Sequence, residues 1–170
     1  MLSMFYIGAF DEAAKPVVYG VALMFGGLTQ LIAGLIVLRN GNTFGGVLFM
    51  GFGGFWLSLF AFVQFFSKGI PAAELGHAQA LFVFAFGAFI AWMFAASFRT
   101  NVVVVAALAD LVVFVGILGA GLYLGNTGLE KAAGWLGLVA AALAAYLSFA
   151  EMCEATYGRE ILPIGHLAKK

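Results

Sequence analysis

The sequence predicts an all-α integral membrane protein. The expected fold is a six-helix bundle with five full spans and a first helix truncated to about half length. Three observations predict it. The 170-residue chain is 64% hydrophobic and only 9% charged, with a mean hydropathy of +1.08. Soluble domains carry about a quarter charged residues, so most of this surface must meet lipid. Five apolar runs reach the roughly 20 residues that cross about 30 Å of hydrocarbon. The polar breaks between them are short, which makes sequential helices antiparallel neighbours in a single membrane domain, 1–170.

The first ten residues, MLSMFYIGAF, are too short to span. Ten residues of helix rise about 15 Å, half a bilayer. Asp11, Glu12 and Lys15 then end the run, so 1–10 reads as the remnant of a helix whose first half is missing. No basic region or cleavage site marks a signal peptide. Spans follow at about 17–38, 44–66, 78–98, 102–124 and 132–150. Pro71 and Gly69 mark the break at 67–77 as a true loop. Residues 151–170 form a tail.

Charge sets the orientation. Lys15, Lys68 and Lys131 fall on one side; Arg39, Arg99, Arg159, Lys169 and Lys170 fall on the other. The positive-inside rule puts the second group, and the C-terminus, in the cytoplasm. The expected location is the inner (plasma) membrane. Zero net charge offers nothing to nucleic acid. The single cysteine, Cys153, excludes an intrachain disulfide and supplies no metal-site spacing. His77 and His166 lie on opposite faces, and no cofactor motif is present. The tripeptide GNT occurs at 41–43 and 125–127, three spans apart, the pattern of an inverted repeat.

Few residues offer chemistry. Gln30, beside Thr29, lies mid-span; an unpaired amide in hydrocarbon is costly and should face protein or water. It is either a lining group of a polar path or an interhelical hydrogen bond. Asp110 is the sole charge inside a span. Its functional reading is a proton relay; the plainer one is a carboxyl bonded to a neighbour. Glu151 and Glu154 follow the last span, at a cytoplasmic mouth or simply at a solvated helix end. Phe49, Phe52, Phe55 and Trp56 recur at helical spacing, either as packing or as a constriction that gates by dewetting. Gly51, Gly53 and Gly54 allow close helix approach there.

The blocks FGGLTQLIAGL (25–35), GNTFG (41–45), GFWLS (54–58), AGWLGL (133–138) and YGREILPIG (157–165) resemble, in order and spacing, the acetate uptake transporter family, which includes the bacterial succinate–acetate permeases. The resemblance covers nearly the whole chain. It implies six helices per protomer, a ring of six protomers, and a narrow path in each for acetate and other small carboxylates, linked to protons. It also implies that Gln30 lines the path and that Phe52 and Leu108 are two of three constriction residues. Phe25, Thr29, Asn42, Thr43, Trp56 and Glu151 complete the expected path.

The chain departs from the family at three places. The Asn-Pro-Ala-Pro-Leu-Gly-Leu signature ahead of the first helix is absent, as is the half-helix carrying the third constriction residue. Phe52 stands where the family has tyrosine, and Met50 and Gly51 stand where it has hydroxyl residues just before it, which makes the path drier. Asp110 is not a family feature; two positions from Leu108, it is about 200° round the helix from it. A non-transporting sensor or assembly subunit is the competing function, favoured by the missing signature. An intramembrane enzyme built on Asp110 and Glu151 lacks a second group at matching depth.

Overall fold

The computed structural model of the chain describes residues 1–167; Lys169 and Lys170, assigned above to the cytoplasmic side, lie outside them. A short helix, α1 (Leu2–Tyr6), is followed by α2 (Pro16–Val21) and α3 (Gln30–Arg39), joined through a π-helical stretch, Ala22–Thr29. Then come α4 (Thr43–Ala61), α5 (Leu75–Ala96), α6 (Val102–Leu124) and α7 (Thr127–Tyr157). Short helical pieces extend several of these. Five continuous helical segments are long and apolar enough to cross a membrane: Glu12–Arg39, Thr43–Gly69, Ala72–Arg99, Val102–Leu124 and Thr127–Tyr157. Among the described residues there is no β-strand, only an isolated bridge between Asn101 and His166.

Asparagine starts three of these helices, because its short side chain accepts the first free N–H groups of a helix. Asn42 Oδ1 accepts from Gly45 N–H at 2.8 Å, Asn101 Oδ1 from Val104 N–H at 2.8 Å, and Asn126 Oδ1 from Gly128 N–H at 2.9 Å. Both GNT copies are therefore the same turn. Gly41 (φ +85°) and Gly125 (φ +61°) take the left-handed conformation, and the asparagine caps the next helix. Turn chemistry is sufficient to explain the repeated tripeptide.

Two boundaries differ from the sequence reading. The last helix runs past 150 to Tyr157 and stops at Gly158 (φ +68°), so Glu151 and Glu154 sit on its last turns, the helix-end position that was one of the two expected for them. A helix can leave the membrane without unwinding, and hydropathy marks only where the apolar run ends. The N-terminal helix is five residues, not ten. Gly8 at φ +79° reverses the chain, and Ala9 N–H bonds back to the Met4 carbonyl at 2.9 Å. This short helix packs against α7 at Gly134, where an added Cβ would lie 2.9 Å from Tyr6 Cβ.

Packing divides the bundle in two. On one side α5, α6 and α7 pack in chain order around Val83, Ile90, Met93, Val104, Leu108, Val115, Leu118 and Ala133. On the other, α3 lies along α4. That seam is closed by glycine. A Cβ on Gly34 would meet Met50 N at 2.8 Å, and one on Gly53 would meet Leu31 N at 2.8 Å. Only hydrogen in place of a side chain lets the two backbones come that close.

The last described segment folds back over one end of the bundle. Gly165 and Ile164 carbonyls accept from the N–H groups of Val102 and Val103, at 2.8 and 3.4 Å. Leu167 N–H bonds to the Thr100 carbonyl at 3.0 Å, and Tyr146 Oη donates to the Pro163 carbonyl at 2.8 Å. The YGREILPIG block thereby satisfies the open N-terminus of α6.

Candidate functional site

The space between α4 and the α5–α7 group is a cavity of about 290 Å³. Helix periodicity builds its walls. From α4 come Phe52, Phe55, Trp56 and Leu59, and from the π-helical turn that continues it, Phe62–Phe66, come Phe62 and Val63, spaced mostly by threes and fours and so on one face. From α5 come Gln79, Phe82, Val83, Phe86 and Ile90, again one face. Helix α6 adds Leu111, Phe114, Val115, Leu118 and Leu122. Small residues of α7, Gly137, Ala140, Ala141 and Ala144, leave the volume open, and Leu2, Ser3 and Tyr6 of α1 close that side.

Aromatic rings hold α4 and α5 apart. Phe55 meets Phe86 edge-on with centroids 4.7 Å apart, Phe62 stacks on Phe82 at 5.9 Å, and Phe52 meets Phe89 edge-on at 6.3 Å. These contacts are the preferred offset and T-shaped geometries. The wall is apolar and nearly free of polar groups: the hydrogen-bonding side chains lining it are Ser3, Tyr6, Trp56 and Gln79. No Asp, Glu, His, Lys or Arg is among the lining residues. Such a site suits a small solute with an apolar body and one polar head, and it offers no counter-charge to an ion.

The residues singled out from the sequence fall in different places. Phe52 and Trp56 line the cavity. Leu108 does not; it is 3% exposed in the packed core, the cluster against which Phe52 also rests. Gln30 lies outside the lining, half-buried at the start of α3. It is four residues on from Gly26, which abuts the Trp56 indole: a Cβ there would lie 2.9 Å from Trp56 Cγ. Phe25 is 75% exposed and Thr29 is exposed too, both on the outer surface of the first long helix. Asn42 is occupied in capping α4, and Thr43 is the first residue of that helix. Glu151 is exposed on α7. Asp110 is on α6 and is not itself a lining residue, although Leu111 beside it and Ala140, whose backbone bonds its carboxyl, both are; its Oδ2 is buried and unpartnered among the described residues.

Sequence reasoning did not single out Gln79. It lies near the loop end of its span, where an amide is ordinarily hydrated and draws no notice. The available signal was register: Gln79 shares a face with Phe82, Val83, Phe86 and Ile90. Among the described residues no three His, Cys, Asp or Glu side chains converge as a metal site.

Known proteins match the chain along nearly its whole length. The model of the GPR1/FUN34/yaaH family matches residues 1–168. The succinate-acetate/proton symporter SatP of Escherichia coli (strain K12) is 31% identical over 165 residues, 97% of this chain and 87% of that protein. Acetate permease A of Emericella nidulans is 31% identical over 183 residues, 98% of this chain and 61% of that one. The solved structure of the bacterial acetate channel SatP superposes with a TM-score of 0.88 at 31% identity, covering 96% of this chain and 90% of that one.

Proposed function

The chain belongs to the GPR1/FUN34/yaaH family, and from that premise we propose that it carries acetate and other small monocarboxylates across a membrane. The observation that supports this most is the apolar cavity between α4 and α5–α7, with hydrogen-bonding side chains but no charged ones among its lining residues. We propose further that transport is linked to protons and that succinate is among the substrates. The protomers form a ring of six in the inner (plasma) membrane, with the C-terminus in the cytoplasm.

The proposed path runs through the cavity, narrows at Phe52 and passes the buried Leu108. Trp56 forms part of the wall. Gln30 belongs to it on the strength of its position one turn from the Gly26–Trp56 contact. Phe25, Thr29, Asn42, Thr43 and Glu151 lie outside the cavity, at the outer surface and at helix ends, where they would act on entry to the path or on packing between protomers.

Proton linkage has a simple physical basis. A carboxylate entering an uncharged, aromatic-walled space loses its hydration and gains no counter-ion. The neutral acid loses far less. Protonation of the solute outside and its release inside moves one proton per molecule, with no Asp, Glu, His, Lys or Arg needed in the cavity wall. Uptake of labelled acetate into liposomes, at constant total acid, should therefore rise as external pH falls from about 8 to about 5, toward the carboxylic acid range. Flat uptake across that interval counts against proton linkage. No uptake at any pH returns the sensor or assembly-subunit reading.

A further inference from the structure

We propose that Gln79 positions the solute in the cavity by pairing with its carboxylic acid head; this rests on the transport reading above. Gln79 sits on the α5 face that lines the cavity, in register with Phe82, Val83, Phe86 and Ile90. At that end Gly76, three residues before Gln79, abuts the Leu122 backbone of α6, and Phe82, three residues after it, stacks on Phe62 of the π-helical turn that continues α4. Among the described residues no group is hydrogen-bonded to the Gln79 side chain, which is half-buried, with its amide atoms still reachable by a small molecule. An amide facing an apolar wall without a partner is costly unless water or a solute supplies one.

The chemistry of the amide identifies the partner. A primary amide presents one carbonyl acceptor and N–H donors side by side. A neutral carboxylic acid presents the matching pair, an O–H donor beside a carbonyl acceptor. The two close a ring of two hydrogen bonds: the acid O–H donates to Oε1, and Nε2–H donates to the acid carbonyl. A carboxylate accepts only, so it takes the Nε2–H bond and sets a second lone pair against Oε1. The other hydrogen-bonding groups of the wall, the Ser3 and Tyr6 hydroxyls and the Trp56 indole N–H, do not offer that side-by-side pair. Gln79 thus favours the neutral acid at the same place where the apolar wall penalises the anion.

Titratable groups near this end do not compete. Tyr6 is the sole titratable side chain among the lining residues. His77, two residues earlier on α5, is bonded to Glu74 at 3.0 Å and stacks on Tyr123 of α6 with centroids 4.8 Å apart. Lys15 pairs with Glu12 at 2.8 Å and lies over the Tyr6 ring, 5.5 Å from its centroid.

The test uses the full chain in liposomes and in detergent. Trp56 lines the cavity, whereas Trp92 and Trp135 are 73% and 63% exposed. In a Trp92→Phe, Trp135→Phe background, Trp56 fluorescence then reports acetate binding independently of flux. Gln79→Met keeps the shape and removes both hydrogen bonds. It should raise the half-saturating acetate concentration, in both fluorescence and uptake, by about three- to tenfold. Gln79→Glu is nearly isosteric: measured against the parent at the same pH, it should bind almost as well at about pH 3.5, below the ordinary glutamate range, where its carboxyl is largely neutral, and clearly more weakly at about pH 6, where it is ionised. A purely structural residue would not give that reversal. Unchanged half-saturation in Gln79→Met, or a Gln79→Glu-to-parent binding ratio that is the same at both pH values, overturns the assignment while leaving transport intact. Absence of uptake by the parent protein overturns the transport reading and this one together.

Discussion

Along the α3–α4 seam, backbone meets backbone: Gly34 and Gly53 leave no room for a Cβ, and the gap closes. Along the α4–α5 side, ring meets ring: Phe55 on Phe86 and Phe62 on Phe82 keep the helices apart, and volume remains between them. Both faces belong to one helix, α4, and both are apolar. Hydropathy therefore cannot tell them apart; side-chain size does. Removing side chains makes a seal, and large rigid side chains make a chamber. Gln30 is next to the seal and Gln79 is in the chamber wall.

The comparison breaks most readily at the seal. Gly53→Ala puts a methyl group 2.8 Å from the Leu31 nitrogen, against backbone that has nowhere to go. It should cost about 1–3 kcal/mol, read as a lower melting temperature in detergent. Gly54→Ala, one residue along, meets nothing within 4 Å and should leave stability unchanged or slightly raised. Equal losses in the two would remove the distinction between the faces.

The chamber should fail in the opposite sense. Ala141→Trp fills the space without touching the seam, so stability should hold while acetate flux falls about tenfold, equivalent to about 1.4 kcal/mol of added barrier. A smaller effect belongs to the boundary between the regions. Gln30→Ala should lower flux by about threefold, the equivalent of one membrane hydrogen bond of about 0.6 kcal/mol; a larger fall than Gln79→Met gives would move the path toward α3. Smallest of all, Asp110→Asn should leave flux unchanged, because the carboxyl lies outside the cavity lining. Lost flux there would revive the proton-relay reading.

The spans were legible because a long apolar run between polar turns has few other solutions. The 102–124 run is helix from end to end. Legibility ended where hydropathy says nothing. The extension of the last helix to Tyr157 depends on local helix propensity and on Gly158, not on apolar character. The two GNT copies form like turns, in each of which glycine and asparagine do a local job. At the site, the phenylalanine stripe of α4 was readable from spacing, and Phe52 and Trp56 do line the cavity. Gln79 escaped because nothing in one sequence says which side of α5 faces α4. Gln30 drew attention by its mid-span depth, and depth alone does not place a side chain in a cavity.

The most direct measurement is uptake of labelled acetate by the purified protein in liposomes, with Ala141→Trp beside the parent. The account predicts saturable uptake by the parent, faster at low external pH, and its near loss in a variant that melts at the same temperature. Uptake by Ala141→Trp equal to the parent's would contradict a path through this cavity, and parent liposomes no faster than empty ones would contradict transport itself.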